Sequence, residues 1–246
     1  MTYESILKKL GCHRIVDFQQ EGLDYSSILG LNIPFWDGMG FPPALVPIGN
    51  GHSSRSYTGL YLQNVLQKEF CFLDFNIEAG EIYEIGLTEN QFGYYLVKMS
   101  ATDYLEPDDE EIVGDFNRLC KVWDFEATSS FEKESLLELR KLDIFEPGIP
   151  KYLADNRPGT THDNSGFERR SRGQDISIDL VKDFHLALEK GNHQSAWEIL
   201  NSPGWSYSLA IDALLELKNA TRHLDDCIIG DIYETWSKAT LIKSCS

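Results

Sequence analysis

Four short apolar segments follow one another between residues 44 and 87, each set off by turn-forming residues: "ALVPI", "SYTGLYLQ", "EFCFLDFN" and "EIYEIGL". In the second, Tyr57, Leu60 and Tyr61 are available for packing; in the third, Phe70, Phe72 and Phe75 alternate with smaller neighbours. "EAG" ahead of the fourth reads as a tight turn. Segments of this length, rich in aromatic and branched residues and bounded by Gly, Pro and Asn, are strand signals. Their close spacing leaves room only for tight connections, which predicts an antiparallel meander.

Helical patterns surround this cluster. Residues 2–11 put Ile6, Leu7 and Leu10 on one face, and Gly11 supplies a stop. "RIVDF" is a short strand or a helix turn, and "DYSSILGLNIPFWDGMGFPP" reads as a packed irregular segment. Thr88 followed by Gln91 is a capping-box pattern, which predicts a helix start immediately after the fourth strand. "DEEIVGDFNRLCKVWDF" continues as an amphipathic helix through Ile112, Phe116, Leu119 and Trp123, and "SSFEKESLLELRKLDIF" is another, with Ser130 as its cap.

Residues 146–175 change character, with prolines, glycines and a basic group (Arg157, Arg169, Arg170, Arg172) but few apolar anchors. They divide the chain into residues 1–150, a linker or long surface loop at 151–175, and a helical region at 176–246. In that region Ile178, Val181, Phe184, Leu186 and Leu188 form one broad apolar face, ended by Gly191. Three further helices follow after brief turns, which predicts antiparallel helical hairpins. "ALEKGNHQSAWEIL" has a tetratricopeptide flavour, without a recurring period.

Charge narrows the partners. The chain carries 39 acids against 22 bases, a net charge of −17. Residues 1–150 hold 25 acids and 11 bases, and residues 151–246 hold 14 and 11. Such a field repels phosphate backbones and anionic membranes and attracts basic proteins. "MTYESILKKLGCHRIVDF" is charged throughout, and no segment has the apolar length of a membrane span, so a cytoplasmic protein is expected. Five widely spaced cysteines, without a CxxC or CxxH pair, read as reduced thiols mostly in the core.

Motifs for catalysis are weak. "GNGHSSRS", Gly49 to Ser56, lacks the lysine and following helix of a phosphate loop, and no serine stands between glycines as in a nucleophile elbow. Adjacent His52 and Ser53 point apart on an extended chain. The segment therefore reads as an inter-strand loop whose polar residues touch a partner. The six histidines form no HxH or HExxH, and the acidic run Asp103–Asp115 lacks the EF-hand pattern, so neither metal nor cofactor is expected. That run is a solvated helix start or a negative patch for a partner.

The strand cluster resembles the core of the SUKH superfamily, the Smi1/Knr4-like proteins. Pro47, Ile48 and Gly49 match its "PIG" turn, and Tyr57 and Leu60 its "YxGL"-like strand. Phe72 and Asp74 match the strand that follows, and Glu84 and Ile85 the one before the helix. The likeness spans residues 40–100; the helix–loop motif that usually opens the family is missing, and the C-terminal helices fall outside it. The resemblance implies an α+β fold, a central, mostly antiparallel sheet flanked by helices, here followed by a C-terminal all-helical part. It also implies a bacterial immunity protein, without enzymatic activity, that neutralises a polymorphic toxin such as a basic nuclease or deaminase domain. On this reading the partner-binding residues are His52, Ser53, Arg55 and Tyr57 in the loop, with Asp103, Glu106, Asp108, Asp109, Glu110 and Glu111 in the acidic run. Two alternatives stand beside it: an adaptor that docks through its C-terminal helices, and an enzyme of unrecognised type with the Gly49–Ser56 loop in its site.

Overall fold

The four apolar segments pair into one antiparallel sheet. The computed structural model describes residues 4–20, 42–50, 56–76, 81–103, 110–124, 178–202, 205, 207–225 and 227–241. Strands β1 (Leu45–Asn50), β2 (Ser56–Asn64), β3 (Glu69–Asn76) and β4 (Glu81–Gly86) lie side by side in chain order. Local chemistry closes the β2–β3 turn: the Asn64 side-chain oxygen accepts the N–H groups of Leu66 (3.2 Å) and Gln67 (3.1 Å). Lys68 then takes a left-handed φ of 57° to re-enter the sheet.

Register decides which side chains meet. Val46 lies opposite Leu60, and Leu60 opposite Phe72, a fully buried apolar row across three strands. On the other face Leu45 is opposite Tyr61, and Tyr61 opposite Cys71; Leu45 and Cys71 are buried as well, so the sheet centre is covered on both sides. β1 bulges between Pro47 and Gly49, which leaves Ile48 as the extra residue. Pro47 has no N–H to give to a ladder, and an edge strand is where a sheet tolerates that.

Helices α1 (Glu4–Lys9) and α2 (His13–Gln20) precede the sheet, so the ambiguous "RIVDF" is helical. Gly11 ends α1 with φ of 80°; its N–H donates to Lys8 (3.1 Å), and that of Cys12 to Leu7 (2.9 Å). These two bonds satisfy carbonyls that a helix end leaves orphaned. After β4 the expected capping box forms at α3 (Glu89–Asp103). The Gln91 N–H donates to Thr88 Oγ1 and the Thr88 N–H to Gln91 Oε1, both at 3.2 Å. The Leu87 N–H joins at 2.7 Å. Phe92 then stacks on Phe72 with ring centroids 4.6 Å apart, which fixes the first turns of α3 on the sheet. In α4 (Glu110–Val122) and the turn after it, Phe116, Leu119 and Trp123 are buried, as the amphipathic pattern predicts.

The C-terminal helices are α5 (Ile178–Glu189), α6 (His193–Leu200), α7 (Tyr207–Thr221) and α8 (Ile229–Leu241). Gly191 ends α5 with the same pair of bonds as Gly11, at φ of 68°, and the Asn192 side chain caps α6 by accepting the Ser195 N–H at 3.2 Å. One expectation fails here. Leu186 is 42% exposed, while its neighbour Ala187 is buried. At about 100° per residue, position 186 lies about 200° from the buried Phe184, on the solvent side of the helix.

These helices and the sheet share one hydrophobic cluster, in which Leu62, Phe72, Phe92 and Trp123 join Phe184, Trp197, Trp205, Leu214 and Trp236. α6 is tied to the sheet end by polar groups as well. Trp197 Nε1 donates to the Leu62 carbonyl (3.0 Å), Gln194 Nε2 to the Gln63 carbonyl (3.0 Å), and the Ala44 N–H to Asn201 Oδ1 (2.7 Å). Lys9 of α1 pairs with Asp231 of α8 at 2.6 Å. Cys12, Cys71 and Cys120 are buried and Cys227 is half-buried, and none of these four forms a disulfide among the described residues. Among the described residues no helix is long and apolar enough to cross a membrane. The expected helix after Ser130, the linker at 151–175 and its arginines lie outside the described residues.

Candidate functional site

The residues read as partner-binding fall at two connections, one between β1 and β2 and one between α3 and α4. Gly49 and Asn50 close β1, opposite Thr58 and Tyr57, and Ser56 opens β2, opposite Asn76. The connection is therefore shorter than Gly49–Ser56 and comprises residues 51–55; His52, Ser53 and Arg55 lie outside the described residues. Tyr57 is inside the ladder, between Asn50 and Phe75. The β3–β4 connection, residues 77–80, is at the same end of the sheet, because antiparallel strands in chain order alternate their ends.

Asp103 is the last residue of α3, and Glu110 and Glu111 open α4. Glu106, Asp108 and Asp109 lie outside the described residues. Acids in a first helical turn suit the positive end of the helix dipole, so Glu110 and Glu111 have a local reason to stand where they do. α3 leaves β4 after two residues and packs on it.

At the base of the sheet end that carries residues 51–55 and 77–80, a register row runs Gly49, Thr58, Asp74, Tyr83 across all four strands. Thr58 is 2% exposed, and its hydroxyl has no hydrogen-bond partner among the described residues.

The opposite end of α3 holds the most perturbed titratable groups, and sequence reading gave no sign of them. Glu89, the first residue of α3, accepts the Ile15 N–H on Oε1 at 2.8 Å and so caps α2 from another helix. Burial pushes its carboxyl above the usual range; the backbone N–H bonds of Ile15 and Arg14 and the charges of Arg14 and His13 oppose that. Burial, with Glu89 adding to it, pushes the Cys12 thiol up to about 12, and burial does the same to Cys120. Thiols held so high stay protonated near neutrality and are poor nucleophiles. The Glu89 carbonyl accepts Trp123 Nε1 at 3.2 Å, and Arg14 pairs with Asp124 at 2.7 Å. Three helices thus meet at one polar joint. His185 of α5 is at the surface and bonds Glu216 of α7 at 3.0 Å.

Compared with protein-family models, curated proteins and solved structures, the chain has no match in any of the three.

Proposed function

We propose that the protein is a cytoplasmic binding protein of the immunity type, which neutralises a toxic, basic protein domain by covering it. The observation that carries this reading is the uneven acidic charge. Residues 1–150 have a net charge of −14, against −3 for residues 151–246. Their densest acidic run joins the end of α3 to the start of α4. Surfaces of that sign speed encounter with basic partners and discriminate against acidic ones. The likeness of the strand cluster to SUKH proteins points the same way. The test is co-expression. Each neighbouring open reading frame, or its C-terminal domain, is expressed with and without this protein. Rescue of growth from a toxic neighbour supports the reading; persistent toxicity despite soluble co-expression, or no toxic neighbour, removes it.

A second reading, an adaptor that docks through its C-terminal helices, is favoured by three exposed leucines: Leu186 on α5, and Leu209 and Leu215 on α7. Because Trp197 and Trp205 are core residues, deleting this region would confound docking with unfolding. Serine at Leu186 and Leu215 is the cleaner test, since both are partly exposed and neither belongs to the buried cluster. Loss of a partner with folding intact would favour the adaptor.

A further inference from the structure

Among the described residues the sheet has four strands and two edges, and it treats these edges differently. The β1 edge is blunted. Pro47 has no N–H to offer, Ile48 bulges, and the Ala44 N–H just ahead of the strand is occupied by the Asn201 side chain. Such devices keep an edge from pairing with another chain. Among the described residues β4 pairs with β3 alone. It has neither proline nor lysine, and it runs in regular register from Glu81 opposite Asn76 to Glu84 opposite Leu73. Its irregularity comes only afterwards, at Ile85.

The sequence of that regular stretch, Glu-Ile-Tyr-Glu, selects the occupant. If two copies paired antiparallel about Ile82 and Tyr83, Glu81 of each would stand opposite Glu84 of the other. Like charges directly opposite destabilise a strand pair. A strand with lysine or arginine at those two places turns the repulsion into attraction, and the net charge of −17 favours the same partner. We infer that the outer edge of β4 accepts a basic extended segment of the partner as a fifth strand. Main-chain hydrogen bonds supply the binding, and Glu81 and Glu84 supply the choice. The inference rests on the proposed reading of a basic protein partner and adds the place and manner of contact.

The experiment follows backbone amide exchange in the full chain at low salt, alone and with two blocked peptides of about ten residues, both of valine, one with Lys and the other with Glu at every third position, the spacing of Glu81 and Glu84. The Lys–Val peptide is expected to slow exchange within residues 81–84, and the Glu–Val peptide to leave it unchanged. Replacing both acids, Glu81→Lys with Glu84→Lys, is expected to weaken the Lys–Val peptide about tenfold. Binding of the Lys–Val peptide with protection elsewhere overturns the edge assignment and leaves the basic-partner reading standing. Equal protection of β4 by both peptides overturns the charge selection, and binding of neither overturns the inference outright. Growth rescue by co-expression judges the basic-partner reading separately in every case.

Discussion

Trp197 donates its indole N–H to the carbonyl oxygen of Leu62 across 3.0 Å, between residues 135 positions apart. Trp197 is 1% exposed, so that carbonyl loses its partner in a place where water does not replace it. Trp197→Phe keeps most of the apolar area and is expected to cost about 1–3 kcal/mol, the penalty of an unsatisfied buried acceptor. Because sheet and helices share one cluster, urea unfolding followed by far-UV circular dichroism and by tryptophan fluorescence should shift together. Two separated transitions would show that α6 is not a structural part of the sheet's core.

Gly93 in α3 lies under the Trp123 ring. A Cβ built there would stand 1.7 Å from Trp123 Cδ1 and Nε1. Alanine is worth about 1 kcal/mol over glycine inside a helix. Gly93→Ala is nevertheless expected to destabilise, since the indole must leave and give up its bond to the Glu89 carbonyl. Overpacking of this kind costs about 1–3 kcal/mol, occasionally more. The background decides the cause: in Trp123→Leu, the Gly93 substitution should be far less harmful. Equal cost in both backgrounds would locate the damage elsewhere.

What could be read from the sequence is what neighbours along the chain determine. Thr88 and Gln91 are three residues apart, and Gly11 and Gly191 act through their own φ, so caps and stops were legible. The strands were legible because their apolar runs sit so close between turns. Leu186 departs from the apolar face because its angular position on α5, not its apolar character, decides that it is exposed. Ala44 with Asn201, 157 positions apart, and Ile15 with Glu89, 74 apart, join residue types that carry no mark of pairing. Of the residues chosen for partner binding, Tyr57, Asp103, Glu110 and Glu111 can be placed on elements, and the rest fall in connections outside the described residues.

Glu89 provides a pH test. Its carboxyl is raised in the folded protein, chiefly by burial, so the fold binds that proton more tightly than the unfolded chain does. The stability it contributes is fully present below the unfolded pKa and is lost as pH rises through the folded one. Glu89→Gln keeps an oxygen to accept the Ile15 N–H and removes the ionisation. Between about pH 4.5 and about pH 7 the unsubstituted protein should lose stability relative to the variant. Denaturant titrations of both at the two pH values check this. A stability difference that does not change with pH would mean that the carboxyl ionises as freely in the fold as in the unfolded chain.

Once co-expression supplies a partner, the acidic field makes a kinetic prediction. The Debye length is about 30 Å at 0.01 M salt and about 10 Å at 0.1 M. Steering by the run from Asp103 to Glu111 should therefore weaken over that range, and the association rate should fall while dissociation changes less. Replacing Asp108 and Asp109 with asparagine should lower the rate at 0.01 M and flatten its dependence on salt, because less charge remains to be screened. Stopped-flow mixing at a series of salt concentrations measures both effects. An association rate that is the same at low and high salt would mean that the charge of residues 1–150 serves solubility alone, and the surface that holds the partner would have to be sought in shape and apolar contact instead.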